Sequence, residues 1–209
     1  MLNRTAHIAA AHPALAALIA RIGPCGLVHV PDREPYEALV RAISRQQLHG
    51  RAADAIMARF VALHPGVAFP TPELVLATAD APMRAAGLSG SKVAAIRDIA
   101  ARALDGTVPT RAEAMALDDA ALIERLVAIR GVGRWTVEML LIFTLGRPDV
   151  LPVDDFGVRE GWRRILGLDA QPRPKELAAI GEAWAPHRST AAWYLWRAAD
   201  EGKKVKQPD

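Results

Sequence analysis

The sequence LVAIRGVGRWT, residues 126–136, joins two helical segments through a turn that contains two glycines. Apolar residues at helical spacing precede the turn, and a new apolar stretch follows it at once. Gly131 and Gly133 permit a positive φ and a close backbone approach, which a Cβ would block. The N–H groups of such a turn, beside a new helix N-terminus, can bind a phosphate without reading any bases. The stretch therefore predicts a helical hairpin that binds an anion such as a DNA phosphate.

Two further segments follow this turn. The sequence LPVDDFGVR, residues 151–159, contains an acidic pair whose second member, Asp155, lies 20 residues after Trp135. Both acids precede a predicted helix, whose N-terminus favours ionised carboxylates. One of the two is expected to serve as a plain helix cap. The other segment, WAPHRS at residues 184–189, continues to Trp196.

Taken together, in this order and spacing, the three segments resemble the helix-hairpin-helix DNA glycosylases. The resemblance is to the alkyladenine branch, typified by 3-methyladenine DNA glycosylase II. The hairpin matches the family pattern L-x-x-I-x-G-V/I-G-x-W-T throughout, and WAPHRS resembles the family's W-x-P-x-R-S segment. The resemblance covers residues 35–200. It implies an all-α fold with two helical lobes and a central cleft, with the hairpin at the edge of the cleft.

The resemblance also implies a domain organisation. We expect a single glycosylase domain over residues 1–209. One lobe would comprise residues 35–115 and 120–165, the other residues 1–34 and 166–200, and residues 202–209 would form a flexible tail. Since only 34 residues precede the match, we expect a short form without the N-terminal α/β domain that many bacterial relatives carry.

The length, charge and cysteine content of the chain limit the classes of protein to which it can belong. With 209 residues, 51% of them hydrophobic, the chain can bury one substantial core or two small helical lobes. The small net charge of +3 indicates that positive charge is concentrated in a local basic patch and does not cover the whole protein surface. Cys25 is the single cysteine, which excludes an internal disulfide and a four-cysteine iron–sulfur cluster.

Several other function classes find no support in the sequence. No apolar run reaches the roughly 18 residues of a membrane span. Residues 8–20 are interpreted as an amphipathic helix and not as a signal peptide. The histidines lack metal-ligand spacing, and no Walker motif, dinucleotide fingerprint or nucleophile elbow occurs. We therefore expect a cytoplasmic, nucleoid-associated monomer with no membrane partner and no zinc.

Helical periodicity recurs along the chain, whereas period-2 alternation does not. Glycine and proline breakers separate the helical segments. Thr71, Ser89 and Asp118 are predicted helix caps. The predicted helices cover residues 12–22, 35–48, 50–63, 72–78, 81–85, 91–104, 111–115, 118–129, 134–145, 155–166, 174–183 and 188–200.

The implied reaction is hydrolysis of the N-glycosidic bond of a damaged purine. The sugar becomes cationic in the transition state, and a carboxylate beside it stabilises that charge and can orient a water. The base must first be flipped out of the duplex. Asp155 matches the branch's catalytic aspartate, the second acid after L-P, and Asp154 is the alternative.

Three side chains are predicted to line the base pocket. Trp135 occupies the position where bifunctional relatives carry a lysine, so no Schiff base can form and no strand cleavage is expected. Its ring would stack on an electron-deficient alkylated base, although a plain core role is the alternative. Met139 lies one helical turn later on the same face, and Trp196 matches the family's second pocket tryptophan. Relatives often carry an aromatic residue at the Met139 position, which leaves the lesion range open.

Polar residues at the end of the helix over 35–48 are predicted to enter the minor groove. Gln47 falls in register with the family's intercalating residue, with Leu48 as the alternative, and such wedges fill the space that a flipped nucleotide leaves. His49 would contact the pocket or the DNA backbone. A solvated helix end is the plainer interpretation of all three.

Contacts to DNA phosphates are predicted at Gly131, Gly133, Arg134, Ser89 and Lys92. Arg45, Arg51 and Arg159 are further candidates for such contacts. The resemblance alone implies that the backbone carbonyls of Val127, Ile129 and Val132 bind a monovalent cation, Na⁺ or K⁺. No other cofactor is expected.

These observations favour a monofunctional DNA glycosylase that removes alkylated purines, chiefly 3-methyladenine, from double-stranded DNA. The same fold acting on another base lesion is one alternative. A non-catalytic DNA-binding hairpin module is another, although it would have no need of Asp155. A lyase-competent enzyme is disfavoured by Trp135.

Overall fold

The computed structural model describes residues 4–48 and 50–204, with side chains to Glu201. These residues form α-helices and one short 3-10 helix without any strand, which confirms the all-α prediction. His49 lies outside the described residues, as does the predicted tail from residue 205 onward. The helices are α1 (Arg4–Ala11), α2 (Pro13–Ile22), α3 (Pro35–Arg45), α4 (Gly50–Ala62), α5 (Pro72–Ala77), α6 (Asp80–Ala85), α7 (Gly90–Leu104), α8 (Arg111–Ala116), α9 (Asp119–Val127), α10 (Arg134–Phe143), α11 (Phe156–Leu166), α12 (Pro174–Gly181) and α13 (Arg188–Lys204), with the 3-10 helix over Glu182–Trp184.

Local signals at the helix starts explain most of these boundaries. Thr71, Ser89 and Asp118 each accept a backbone N–H at the start of a helix, which confirms the three predicted caps. The apolar stretch over residues 8–20 is divided between two helices, because His12 caps α2 through Nδ1 and Pro13 occupies its first turn.

The largest differences from the predicted helix ends occur in α3 and α13. The helix predicted over residues 35–48 ends at Arg45, because the chain then makes a turn. The last helix continues to Lys204, into the segment predicted as a flexible tail.

The chain divides into two compact units. The terminal unit comprises residues up to His29 and from Gly146 onward, and the central unit comprises Val30–Leu145. The prediction that the N-terminal residues and the C-terminal helices share a lobe agrees with this division. The predicted boundary at residue 165 does not, because α11 packs most extensively against α13 and so belongs to the terminal unit.

Each unit has its own core. In the terminal unit, Ile8 and Leu15 pack with Trp162, Trp184 and Tyr194 in one buried cluster. In the central unit, α7 packs against α3 and α5, while α10 packs against α3 and α9. Among the described residues, no helix is both long enough and apolar enough to cross a bilayer.

Candidate functional site

Asp155 is the N-cap of α11 in the terminal unit. Its Oδ1 accepts the N–H of Val158 at 2.8 Å and the indole Nε1–H of Trp196 at 2.8 Å. Asp155 is half-buried, whereas its neighbour Asp154 is exposed. The two roles that the sequence divided between the acids, helix cap and candidate catalytic carboxylate, therefore fall on the same residue. Two donors fix the orientation of its carboxylate.

Close packing of α11 against α13 brings the Trp196 indole to Asp155. A Cβ on Gly157 would lie 2.8 Å from Cδ1 of Trp196, and one on Gly161 would overlap the carbonyl of Leu195. The two glycines lie one helical turn apart on the same face of α11. Their spacing was visible in the sequence, but the sequence did not show what packs against that face.

Arg188 and Ser189 anchor the loop that leads to Asp155. Arg188 binds both carboxylate oxygens of Asp149 at 2.8 Å. Ser189 Oγ accepts the N–H of Val150 at 2.9 Å and donates to the carbonyl of Arg147 at 2.7 Å. The hydrogen bond from Arg188 lowers the pKa of the Asp149 carboxyl below its ordinary value. The WAPHRS segment thus positions the acidic loop, a role that its motif did not reveal.

A cavity of about 610 Å³ lies in the central unit between α3 and α10. Trp135, Met139 and Phe143 line it, one helical turn apart on α10. The Trp135 side chain is 46% exposed, which is unusual for a tryptophan. The placement of Trp135 and Met139 on one cavity wall agrees with the prediction, and the plain core role for Trp135 is wrong.

Trp196 lies in the terminal unit, where the prediction gave it only a place in the base pocket. It packs against that unit's core and donates its indole hydrogen bond to Asp155. The structure thus gives Trp196 a positioning contact that the sequence did not indicate. Its role as a pocket wall stays a prediction.

Three arginines also line the cavity, and each has an acidic partner. Arg33 and Arg41 lie 3.4 and 2.6 Å from the same carboxylate oxygen of Glu37. Arg45 lies 2.6 Å from Asp54. Because two carboxylates compensate part of the charge of the three arginines, the cavity is less cationic than its arginines alone indicate.

The hairpin lies between α9 and α10 in the central unit. Gly131 has φ +76°, and a Cβ there would crowd Ala95 and Ile43 at 3.2 and 3.4 Å. Gly133 has φ −92° and open space around it, so the prediction of positive φ holds for Gly131 alone. Gly133 is the N-cap of α10 and has no side chain to cap the first-turn N–H groups. That helix start is accessible to an anion.

A carboxylate from α7 supports the hairpin backbone. Oδ2 of Asp98 accepts the N–H of Arg130 at 2.7 Å. This contact fixes the residue that directly precedes the glycine turn. Asp98 was not a candidate in the sequence, because the contact joins residues 32 positions apart.

The other predicted phosphate contacts differ in their surroundings. Arg134 is exposed and its Nε donates to Glu138 at 3.0 Å. Ser89 is exposed, caps α7 by accepting the N–H of Lys92 at 3.3 Å, and contacts Ser91. Nε of Arg159 donates to the carbonyl of Pro172 at 2.8 Å.

The structure gives Lys92 two contacts that the sequence did not predict. Its Nζ lies 2.8 Å from the carbonyl oxygens of both Ser44 and Gln46. Burial lowers the pKa of the Lys92 ammonium below its ordinary value. Two backbone carbonyls accept two of the three N–H donors of this ammonium, and the phosphate contact of Lys92 stays a prediction.

The segment after α3 carries the predicted intercalating residues. Gln47 and Leu48 are both exposed, with Leu48 at 38%. Gln47 has φ +59°, and it is the one non-glycine residue with positive φ among the described residues. Left-handed backbone is rare for residues with a Cβ and marks sites under external constraint. His49 cannot be placed, since it lies outside the described ranges.

The three predicted cation ligands lie in the hairpin. Val127 is the last residue of α9. The carbonyl of Ile129 accepts the N–H of Val132 at 3.1 Å. A carbonyl has two lone pairs, so this hydrogen bond leaves Ile129 able to bind a cation.

Comparison with known proteins adds to this geometry. The family described as HhH-GPD superfamily base excision DNA repair protein matches residues 40–187. DNA-3-methyladenine glycosylase 1 of Schizosaccharomyces pombe is 45% identical over 177 residues, which are 83% of this chain and 78% of that protein.

Solved structures agree with these sequence matches. The S. pombe 3-methyladenine DNA glycosylase in complex with abasic DNA has a TM-score of 0.86 at 40% identity, covering 93% of this chain and 95% of that one. A DNA-3-methyladenine glycosidase from Bacillus halodurans has a TM-score of 0.85 at 35% identity, covering 96% and 91%. The matched region contains the hairpin, the acidic pair and the start of the WAPHRS segment. The chain belongs to the HhH-GPD superfamily of base excision DNA repair proteins.

Proposed function

We propose that this protein is a monofunctional DNA glycosylase that hydrolyses the N-glycosidic bond of alkylated purines, chiefly 3-methyladenine, in double-stranded DNA. The observation that carries the proposal is the Asp155 carboxylate, whose Oδ1 is held by Val158 and Trp196 at 2.8 Å each. The S. pombe and B. halodurans relatives, named for 3-methyladenine, support the choice of lesion.

The oriented carboxylate suits the chemistry of the bond. An alkylated purine carries a positive charge and leaves readily, so the difficult step is the formation of a cationic sugar. A fixed negative charge at 4 Å stabilises such a cation by about 4 kcal/mol at an effective dielectric constant of about 20. Asp155 supplies this charge without reorganisation, because its hydrogen bonds are already made. It can also orient the water that attacks the sugar.

The cavity of the central unit suits a flipped base. Its volume of about 610 Å³ exceeds what one purine needs, and Trp135 offers an exposed π face. Stacking on tryptophan favours electron-deficient rings, which distinguishes alkylated from normal purines. The ion pairs of the lining arginines with Glu37 and Asp54 reduce repulsion of a cationic base.

Trp135 also limits the reaction to hydrolysis. An indole cannot form a Schiff base with the sugar, so the product would be an intact abasic strand. We therefore expect no lyase activity.

The hairpin is the proposed phosphate site. The uncapped start of α10 at Gly133 and the exposed Gly131 present backbone N–H groups, and Arg134 adds a cation beside them. The carbonyls of Val127, Ile129 and Val132 are the proposed ligands of Na⁺ or K⁺, since neutral carbonyl oxygens suit such ions. The cation would supply positive charge next to the phosphate. We expect the protein to act as a monomer where chromosomal DNA is, as a cytoplasmic, nucleoid-associated enzyme.

Base release from methylated duplex DNA tests the proposal. Wild-type protein is expected to release 3-methyladenine, identified by chromatography, and to leave strands intact until alkali is added. Asp155→Asn should reduce the rate about a hundred- to thousandfold, as for the loss of one preorganised electrostatic contact. Asparagine is a good N-cap, so the fold should persist.

The matched control is Asp154→Asn, which removes one exposed charge from the adjacent position. It should change the rate less than threefold, because surface charges are screened. Duplex binding without release of any methylated base would contradict the proposal, and would favour another lesion or a non-catalytic DNA-binding module.

A further inference from the structure

The turn that follows α3 has an unusual backbone. Gln46 has φ −52° and ψ +131°, Gln47 has φ +59°, and the N–H of Leu48 donates to the carbonyl of Arg45 at 3.1 Å. These are the features of a type II turn over residues 45–48, with Gln47 at its third position. That position normally takes glycine or asparagine, because a Cβ disfavours positive φ. Glutamine must therefore be held there by its surroundings.

Lys92 supplies a specific holding contact. Types I and II differ in the orientation of the central peptide, whose carbonyl points in opposite directions in the two forms. In this turn the central carbonyl belongs to Gln46, and Lys92 Nζ donates to it at 2.8 Å. The same ammonium donates to Ser44 in the last turn of α3, also at 2.8 Å. A flip to the type I form would remove the Gln46 carbonyl from its charged donor.

Further contacts hold both Lys92 and the turn over residues 45–48 in place. Val93, next to Lys92 on α7, is buried, so the helix that carries the lysine is anchored. Nε2 of Gln46 donates to the carbonyl of Gly131 in the hairpin at 3.1 Å. The turn is thus joined to α7 through Lys92 and to the hairpin through Gln46.

We propose that Lys92 is a positioning residue that selects the type II turn over residues 45–48 and thereby sets the direction in which Gln47 enters the DNA. The part that concerns DNA rests on the proposed function and on the predicted entry of Gln47 into the minor groove. The lysine acts through the Gln46 carbonyl and does not itself bind a phosphate. A constrained backbone at a residue predicted to fill the space of a flipped nucleotide is a form of preorganisation, because the ordering cost is met before binding.

The first experiment examines the free protein by NMR, independently of any activity. In a type II turn the Hα of Gln46 lies close to the amide proton of Gln47, which gives a strong NOE; in a type I turn that NOE is weak. Wild type should show the strong NOE, and Lys92→Met should lose it, since methionine keeps the chain length without the ammonium. Lys175→Met is the matched control, because Lys175 is exposed on α12. An unchanged strong NOE in Lys92→Met would overturn the proposal.

The second experiment measures single-turnover base release and duplex binding at several salt concentrations. Lys92→Met removes the hydrogen bonds to both Ser44 and Gln46. It should slow release about tenfold, the change expected for losing the charge-assisted bond that holds the Gln46 carbonyl. It should leave the salt dependence of duplex binding unchanged. A phosphate contact would instead lower the slope of binding against salt by about one charge, and that result would overturn the proposal.

A double-mutant cycle tests whether the effect of Lys92 on base release depends on the Gln47 side chain. In a Gln47→Ala background the turn has no side chain to direct, so Lys92→Met should cause no further loss. A further tenfold loss there would contradict the proposed route. If Lys92→Met does not fold, Lys92→Gln enters the same measurements and should show a smaller effect in the same direction. If wild type releases no base at all, the proposed function fails, while the NOE result still decides the role of Lys92 in the turn.

Discussion

The hydrogen bond between Trp196 and Asp155 yields a prediction that separates positioning from packing. Trp196→Phe keeps an aromatic ring on α13 and removes the Nε1–H that lies 2.8 Å from Oδ1 of Asp155. A hydrogen bond to a charged group contributes about 1.5–3 kcal/mol. If that energy orients the carboxylate for the transition state, base release should slow about ten- to hundredfold. The loss should be smaller than for Asp155→Asn, because the negative charge remains.

Single-turnover release with enzyme in excess measures this effect on the chemical step apart from binding. Trp193→Phe is the matched control: it is the same substitution on the same helix, at a half-buried ring that contacts Tyr194 and Arg197. Both variants should lose similar stability, and only Trp196→Phe should lose rate. An unchanged rate in Trp196→Phe, or an equal loss in Trp193→Phe, would refute the positioning role of the indole.

Two further predictions concern the helix that carries Asp155. Gly161→Ala should lower the free energy of unfolding by about 2–3 kcal/mol, because the new Cβ would overlap the Leu195 carbonyl. The control is Gly50→Ala, which has open space around it and should not lower that free energy. Thermal unfolding of the two variants and wild type compares the effects. The second concerns pH: Arg163, followed by Gln171 and Arg164, lowers the pKa of Glu160 from 4.5 to about 2. The ionised Glu160 carboxylate therefore stabilises the folded state fully above pH 4.5, and this stabilisation is lost as the pH falls towards 2. Glu160→Gln should lower the Tm at pH 7, and its difference from wild type should shrink below pH 4.5; a constant difference across that range would contradict the assignment.

The link between Lys92 and the turn after α3 changes how the central unit is understood. Lys92 was a predicted phosphate contact, in a segment over residues 89–92 that resembles a loop contacting the DNA backbone. Its ammonium holds the turn that carries Gln47, which in turn contacts the hairpin through Gln46. Recognition of the duplex by the central unit would then depend on the joint geometry of the Gln47 turn and the hairpin, and not on separate contacts from each.

Features that depend on near neighbours in the chain were predictable from the sequence. Helix starts at Thr71, Ser89 and Asp118 were predicted from a cap residue and the turn after it, and the structure has all three. The positive φ of Gly131 follows from the same kind of local requirement. Asp155 was chosen because the acidic pair resembles that of the glycosylase branch, and its position directly before a helix agreed with that choice. The placement of Trp135 and Met139 on one wall followed from helical spacing.

The contacts that orient these residues come from distant parts of the chain. Trp196 reaches Asp155 across 41 residues, and Lys92 reaches Gln46 across 46. No local pattern predicts them, because they require α13 to pack on α11 and α7 to pack on α3. Gln47 carried no signal of positive φ, since glutamine is not a residue that favours it. The sequence by itself determined the helices and the hairpin, which depend on neighbouring residues, and its resemblance to a known family indicated the candidate carboxylate. Tertiary packing decided how that carboxylate and the Gln47 turn are held, because only folding brings their donors within hydrogen-bond distance.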